Sequence, residues 1–315
     1  MQTNAEKLGR VISGMRSAYM RGDNAMAWAR ANTNEIGNTV VSTLVAYDLQ
    51  AGSYVANARA NPSFVNTWCK QLASLIKPHV EAGDSVLEVG MGEATTLAGV
   101  VKSLNISIDI SPFGFDVSWS RVKVAQKWVS DNDVDARTFV GDLFHIPLAD
   151  NSIDVIYTSH SLEPNGGREV PAIKELLRVA RKAVILVEPI YELAPEEAQK
   201  RMDEHCYVRN LKQTAEQLAA KVIKYGLLEH CSNPLNPSGV VALVKTDIQP
   251  KENVTSISLQ EVWQCPLTGT HLKEDRDLFY AEQVGIAYPV LRGIPLLRAE
   301  HGVLASQINA GFNPR

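Results

Sequence analysis

The stretch Val86-Leu87-Glu88-Val89-Gly90-Met91-Gly92-Glu93-Ala94-Thr95-Thr96 decides how this chain folds. A short apolar segment runs into a glycine turn, and a helix-compatible segment begins directly after it. Glycine tolerates the backbone angles of so tight a turn and lets a ligand approach the main chain. Glu88 stands two residues before the first glycine, where a carboxylate can face a ligand ammonium. A dinucleotide loop must instead accept a pyrophosphate there, and its G-x-G-x-x-G fingerprint fails because Thr95 holds the third position.

Outward from that unit, short apolar strands alternate with helices. The pattern predicts strands at Ser85–Val89, Ile106–Ile110, Thr138–Val140, Ile153–Ser159 and Val184–Glu188, with helices at Val117–Val129 and Val170–Ala180 between them. Such alternation makes a parallel sheet with helices on both faces. After a helix near Thr214–Tyr225, strands at Leu227–Cys231 and Gly239–Lys245 flank a turn-rich segment and read as an antiparallel hairpin ending the sheet. Upstream, residues 1–80 read as a helical cap. Leu8, Val11, Ile12, Met15 and Tyr19 have helical spacing, Asn38–Leu49 fits another helix, and Phe64–Lys77 follows the break at Asn61-Pro62-Ser63. Downstream, residues 247–258 are polar and read as a linker to a small β-rich module over 259–304. The expected fold class is α/β. A Rossmann-like, seven-stranded, mostly parallel sheet (81–247) ends in an antiparallel hairpin, with the helical cap before it and the module after it.

The 315 residues are 45 % hydrophobic and 21 % charged, with a net charge of −4, enough apolar content for a large core. The densest basic stretch, Lys174, Arg178, Arg181 and Lys182, reads as one exposed helix face and its end, so nucleic-acid binding is disfavoured. The four cysteines have no zinc spacing, and no metal site is expected. With no apolar leader at the N-terminus and no 18-residue apolar run, the expected location is cytoplasmic, without a membrane span.

Further acids stand at expected strand ends. Asp109, in Ile108-Asp109-Ile110-Ser111, lies 19 residues after Gly90, where a carboxylate can accept from ribose hydroxyls. Asp142, in Gly141-Asp142-Leu143-Phe144, can accept from an adenine amino group. The strand from Asp154 runs out through Ser159-His160-Ser161-Leu162-Glu163, at the sheet end where ligands bind.

Together, over about residues 45–245, these segments resemble the class I S-adenosylmethionine-dependent methyltransferases, in the branch that modifies small molecules. The resemblance implies S-adenosylmethionine as cofactor and S-adenosylhomocysteine as product. It implies a binding set of Tyr54, Glu88, Gly90, Gly92, Asp109, Ile110, Asp142, Leu143 and Ser159. Tyr54, in Tyr47-Asp48-Leu49-Gln50-Ala51-Gly52-Ser53-Tyr54, would close as a lid over the methionine end. Two departures stand out: Ala94, where relatives often have a third glycine, and Glu163-Pro164, where many have Glu-His. In the module, Trp263-Gln264-Cys265-Pro266-Leu267-Thr268, Gly285–Val290 and Arg292–Leu297 resemble the zinc-ribbon-like activator subunit of tRNA and translation-factor methyltransferases. The zinc ligands are lost, Cys265 being the module's single cysteine.

For catalysis the candidates are His160, as general base or substrate contact rather than a packed histidine, and Glu188, which either holds a substrate hydroxyl or amine or caps a turn. Tyr191, His205, Cys206 and Tyr207 are further candidates for the acceptor pocket. An Asn-Pro-Pro-Tyr type motif is absent after the fourth strand, which disfavours transfer to an adenine or glutamine amide. The leading expectation is methyl transfer to a hydroxyl or amine of a small metabolite, sugar or glycan. The alternatives are a tRNA or rRNA methyltransferase with its activator in cis, and a non-catalytic scaffold.

Overall fold

The computed structural model describes residues 4–33, 39–105, 109–231, 233–245 and 261–308; the linker expected at 247–258 lies outside them. Five helices come first: α1 (Asn4–Met20), α2 (Ala25–Asn32), α3 (Val40–Leu49), α4 (Ser53–Ala60) and α5 (Pro62–Ile76). Alternation follows, with β1 (Asp84–Val89), α6 (Thr95–Asn105), β2 (Ile110–Asp116), α7 (Trp119–Asp131), β3 (Arg137–Val140), β4 (Ile153–Ser159), α8 (Glu169–Val179) and β5 (Ala180–Pro189). Then come α9 (Glu196–Glu204), α10 (Leu211–Gln217), β6 (Lys221–Leu227) and β7 (Ser238–Val244).

The seven strands form one sheet in the order β3-β2-β1-β4-β5-β7-β6, in which β7 alone runs antiparallel to the rest. Every residue of β1 is buried, as a parallel strand covered on both faces requires. Side chains alternate between two layers: Val184 and Leu186 of β5 join one, Ala183, Ile185 and Val187 the other. The second layer is filled by α5, α6 and α7. There the Cys69 thiol lies against Gly99, where an added Cβ would stand 2.4 Å from the sulfur, so glycine sets how closely α5 and α6 approach.

Two expectations move. The second strand is Ile110–Asp116 and not Ile106–Ile110, whose residues 106–108 fall outside those described. Ser111-Pro112 and Gly114 read as strand breakers. However, β3 pairs with β2 only from Phe113 onward, so Pro112 sits where β2 has one neighbour and its missing N–H costs little. The sixth strand is Lys221–Leu227 and not Leu227–Cys231, and it begins within the expected helix Thr214–Tyr225. The helix stops at Gln217, and Ala219 turns the chain with φ +59°.

The C-terminal residues build a second, antiparallel sheet of β8 (Lys273–Asp275), β9 (Leu278–Ala281), β10 (Ile286–Leu291), β11 (Ile294–Pro295) and β12 (Val303–Leu304). It docks on the β3 edge. The Leu297 N–H donates to the Val140 carbonyl at 2.9 Å, the Ala149 N–H to Val262 at 2.8 Å, and the Gln264 N–H to Pro147 at 3.0 Å. Trp263, 3 % exposed, meets Phe139 and Phe279 edge-on, each at 5.2 Å between ring centroids, and Phe113 at 6.3 Å. The Cys265 thiol packs beside the Tyr288 hydroxyl at 3.3 Å. Among the described residues no group of three or more His, Cys, Asp or Glu side chains is arranged to hold a metal ion, and no helix is long and apolar enough to cross a membrane.

Candidate functional site

A cavity opens where β1, β2, β3 and β4 end and the helical cap begins, the place where open α/β sheets bind ligands. Gly90 and Gly92 form its floor. Gly90 has φ +66°, and a Cβ there would stand 2.4 Å from that of Ser161, so only glycine fits. The Ser161 hydroxyl is buried and finds no partner among the described residues.

Two carboxylates face this floor. Glu88 is buried and accepts from the Tyr157 hydroxyl at 2.9 Å. Burial, aided by the charge of Asp116, pushes its pKa up to about 8 against the Tyr157 hydrogen bond. A ligand cation would draw it back toward the carboxylate form. Asp116 ends β2, accepting from the Gly92 N–H at 3.1 Å and the Ser118 N–H at 2.9 Å. Burial raises its pKa, opposed by the Arg121 guanidinium and those backbone donors. Each of its oxygens retains acceptor capacity for a ligand hydroxyl.

The residues of α3 and α4 lie over the cavity as a lid, latched in three places. Arg121 inserts between the rings of Tyr47 and Tyr54, 4.6 Å from each centroid, and its Nε donates to the Tyr47 carbonyl at 3.0 Å. The Ser118 hydroxyl donates to Asp48 at 2.8 Å. Gly52, at the start of α4, has no side chain to cap the helix. The Glu93 carboxylate accepts from the Gly52 N–H at 2.8 Å and the Val55 N–H at 2.7 Å in its place.

At the end of β4, Ser159 and His160 line the cavity. The His160 backbone is left-handed, φ +57°, and its N–H donates to the Val187 carbonyl at 2.9 Å. One ring nitrogen, Nδ1, lies 2.7 Å from a Glu163 oxygen and the other, Nε2, 2.7 Å from the Ser238 hydroxyl. Burial disfavours the imidazolium, but the Glu163 charge and hydrogen bond outweigh it and raise the pKa to about 8. The ring keeps 27 % of its side-chain surface open, so it remains reachable.

Of the residues expected from sequence, Tyr54, Glu88, Gly90, Gly92, Asp142, Leu143, Ser159 and His160 meet at this cavity. Asp109 and Ile110 do not. Asp109 precedes β2 at the opposite end of the sheet, is exposed, and its carbonyl accepts from the Gly83 N–H. The six-residue error in the strand placed an acid at the wrong end. Glu188 does not line the cavity either. It is fully buried and accepts from the backbone N–H groups of Ser161, Leu162 and Glu163 at 3.0–3.1 Å, the turn-capping alternative. Burial pushes its pKa up to about 7, opposed by His160. Tyr191 donates to Asp203 on α9, and His205 and Tyr207 line a neighbouring cavity that Cys206 does not. Asp116, Arg121, Glu93 and Glu163 were missed. The available signal for Asp116 was Ser118, an N-cap for α7 that marks the strand end two residues before it.

In shape the chain is similar to several solved methyltransferases. One is a chain of a Haloferax volcanii complex between a methyltransferase activator and a protein assigned as a methyltransferase (15 % identity, covering 63 % of this chain and 96 % of that one, TM-score 0.49). Another is an S-adenosylmethionine-dependent methyltransferase from Aquifex aeolicus (17 %, 57 % and 98 %, TM-score 0.41). A third is the magnesium protoporphyrin IX methyltransferase of Synechocystis PCC 6803 with bound S-adenosylhomocysteine (14 %, 70 % and 93 %, TM-score 0.42). No curated protein matches the chain in sequence. Residues 86–183, from β1 and the glycine turn to the start of β5, match the family model described as a methyltransferase domain. That domain forms the floor and strand ends of the cavity, so the chain carries a methyltransferase domain on a Rossmann-like α/β fold.

Proposed function

We propose that the chain transfers the methyl group of S-adenosylmethionine to a hydroxyl or amine of a small metabolite, sugar or glycan. The observation that supports this reading is the convergence of Glu88, Asp116, Asp142 and His160 on one cavity under a latched lid. The cofactor supplies a methyl carbon already activated by its sulfonium. Glu88 would meet the cofactor ammonium, Asp116 the ribose hydroxyls and Asp142 the adenine edge, with Gly90 and Ser161 giving room and a hydroxyl at the methionine end.

The protein's part in the transfer is placement and exclusion of water by the lid of Tyr47 and Tyr54. His160, in its neutral form with Nδ1–H donating to Glu163, takes the proton of the acceptor hydroxyl or amine at Nε2, either through the Ser238 hydroxyl or once that hydroxyl turns away. Glu163 positions the imidazole and balances the charge that results. The net charge of −4 favours a small acceptor over RNA. The C-terminal module, which we read as an activator-like unit without zinc, supports the loop after β3 that carries Asp142, through Leu297 and Val140.

Calorimetric titration of S-adenosylhomocysteine into wild type, D116A and D109A tests the assignment. Loss of charge-assisted hydrogen bonds is worth about 1.5–3 kcal/mol, so D116A should weaken binding roughly 10- to 100-fold while D109A stays near wild type. Equal affinities, or a loss in D109A alone, would refute it.

A further inference from the structure

We infer that the neighbouring cavity is an acceptor pocket in which Arg201 binds a carboxylate or phosphate group of the methyl acceptor. The acceptor part of this inference rests on the methyl-transfer reading above; the anion site does not. The cavity measures about 530 Å³ and lies between the turn after α1, helix α3 and helix α9. It shares Tyr47, Tyr54 and Pro164 with the cofactor cavity, so the two abut across the lid. That volume suits a small metabolite.

The charges around it are unevenly satisfied. Two acids face the cavity, and both have cationic partners: Asp23 accepts from Arg21 at 2.9 Å, and Glu163 lies 2.7 Å from His160. Arg201 is different. Its guanidinium hydrogen-bonds the Tyr207 hydroxyl and its central carbon lies 5.6 Å from that ring's centroid, but it makes no ion pair among the described residues, and its buried Nη1 has no hydrogen-bond partner there. A guanidinium has five donors in a planar fork that matches the oxygens of a carboxylate or phosphate. Arg30, which also faces the cavity, adds a second positive charge. Tyr19, Tyr47 and Tyr207 supply flat walls for the body of the ligand. Glu163 belongs to this cavity and its partner His160 to the cofactor cavity, so their contact spans the boundary. An acceptor anchored by its anion at Arg201 therefore extends toward the wall behind which His160 stands.

The probes are benzoate, phenyl phosphate and neutral benzamide, titrated by ligand-observed NMR into protein saturated with S-adenosylhomocysteine. At least one anion should bind at millimolar concentration or tighter and at least tenfold better than benzamide, and the better of the two identifies the group. R201Q should erase that difference, and R201K should keep part of it. K200Q, which removes an exposed charge on the same helix that pairs with Glu196, should leave it intact. S-adenosylhomocysteine affinity in R201Q reports that the variant is folded. The inference is overturned if neither anion binds, if benzamide binds as well, or if R201Q matches wild type. If S-adenosylhomocysteine fails to bind wild type, the methyl-transfer reading falls instead, and anion binding lost in R201Q would still establish the site.

Discussion

His160 has both ring nitrogens engaged, by Glu163 and by Ser238, and a pKa raised to about 8. The imidazolium is thus the main form at pH 7, and the form able to accept a proton gains population only as pH rises through about 8. Turnover measured against pH should climb through that value. In E163Q, where the charge that raises the pKa is gone, the climb should move to lower pH, and in H160Q it should vanish. A flat profile in wild type would remove His160 from proton transfer. The same shift stabilises the fold below pH 6.5, the ordinary histidine value, and that contribution is lost as pH rises through about 8. At this scale the sequence was legible wherever a residue type had one use. Gly90 and Gly92 were readable as a turn because glycine takes left-handed backbone without strain, and Glu88 because it precedes them. Glu188 was not, because a buried carboxylate that caps backbone N–H groups and one that faces a substrate look alike until the loop is in place.

Helix α4 begins at a glycine that cannot cap it, and the missing cap comes from Glu93, 41 residues further along the chain. Loss of such a cap costs about 1–2 kcal/mol, so E93A should lower unfolding free energy by that amount in denaturant titration. Because Glu93 belongs to the glycine turn, the same variant should also weaken S-adenosylhomocysteine binding several-fold. An effect on stability alone would show that the lid and the turn are independent. Strand β2 shows where elements resist reading. Pro112 and Gly114 punctuate a sequence locally, yet β2 tolerates both because its pairing with β3 starts late and its faces are covered. Helices α5, α7 and α8 were legible because a helix announces itself through the spacing of its own apolar residues, joined at α7 by the Ser118 cap. The extent of β2 depends on a neighbour that comes later in the chain.

In the whole molecule the two sheets share one hydrophobic layer, with Phe113 and Phe139 on one side of Trp263 and Phe279 on the other. Replacing a buried tryptophan with alanine costs about 3–5 kcal/mol, so W263A should lower the stability of the entire chain by that amount in a single unfolding transition. Two separate transitions, with the first part unaffected, would show that the module folds alone. The class of the fold was legible as a strand–helix alternation. That the module covers an apolar face of the catalytic domain was expected, but the β3 edge as its docking place was not legible, because the backbone contact of Leu297 with Val140 leaves no mark on either side chain. That contact also orders events during synthesis. Val140 leads directly into Gly141 and Asp142, and Leu297 leaves the ribosome more than 150 residues after them. A nascent chain that has released the whole methyltransferase domain still has β3 as an open edge, with part of the ligand wall unbraced. Completion of the cavity wall is thereby deferred until Leu297 has been translated.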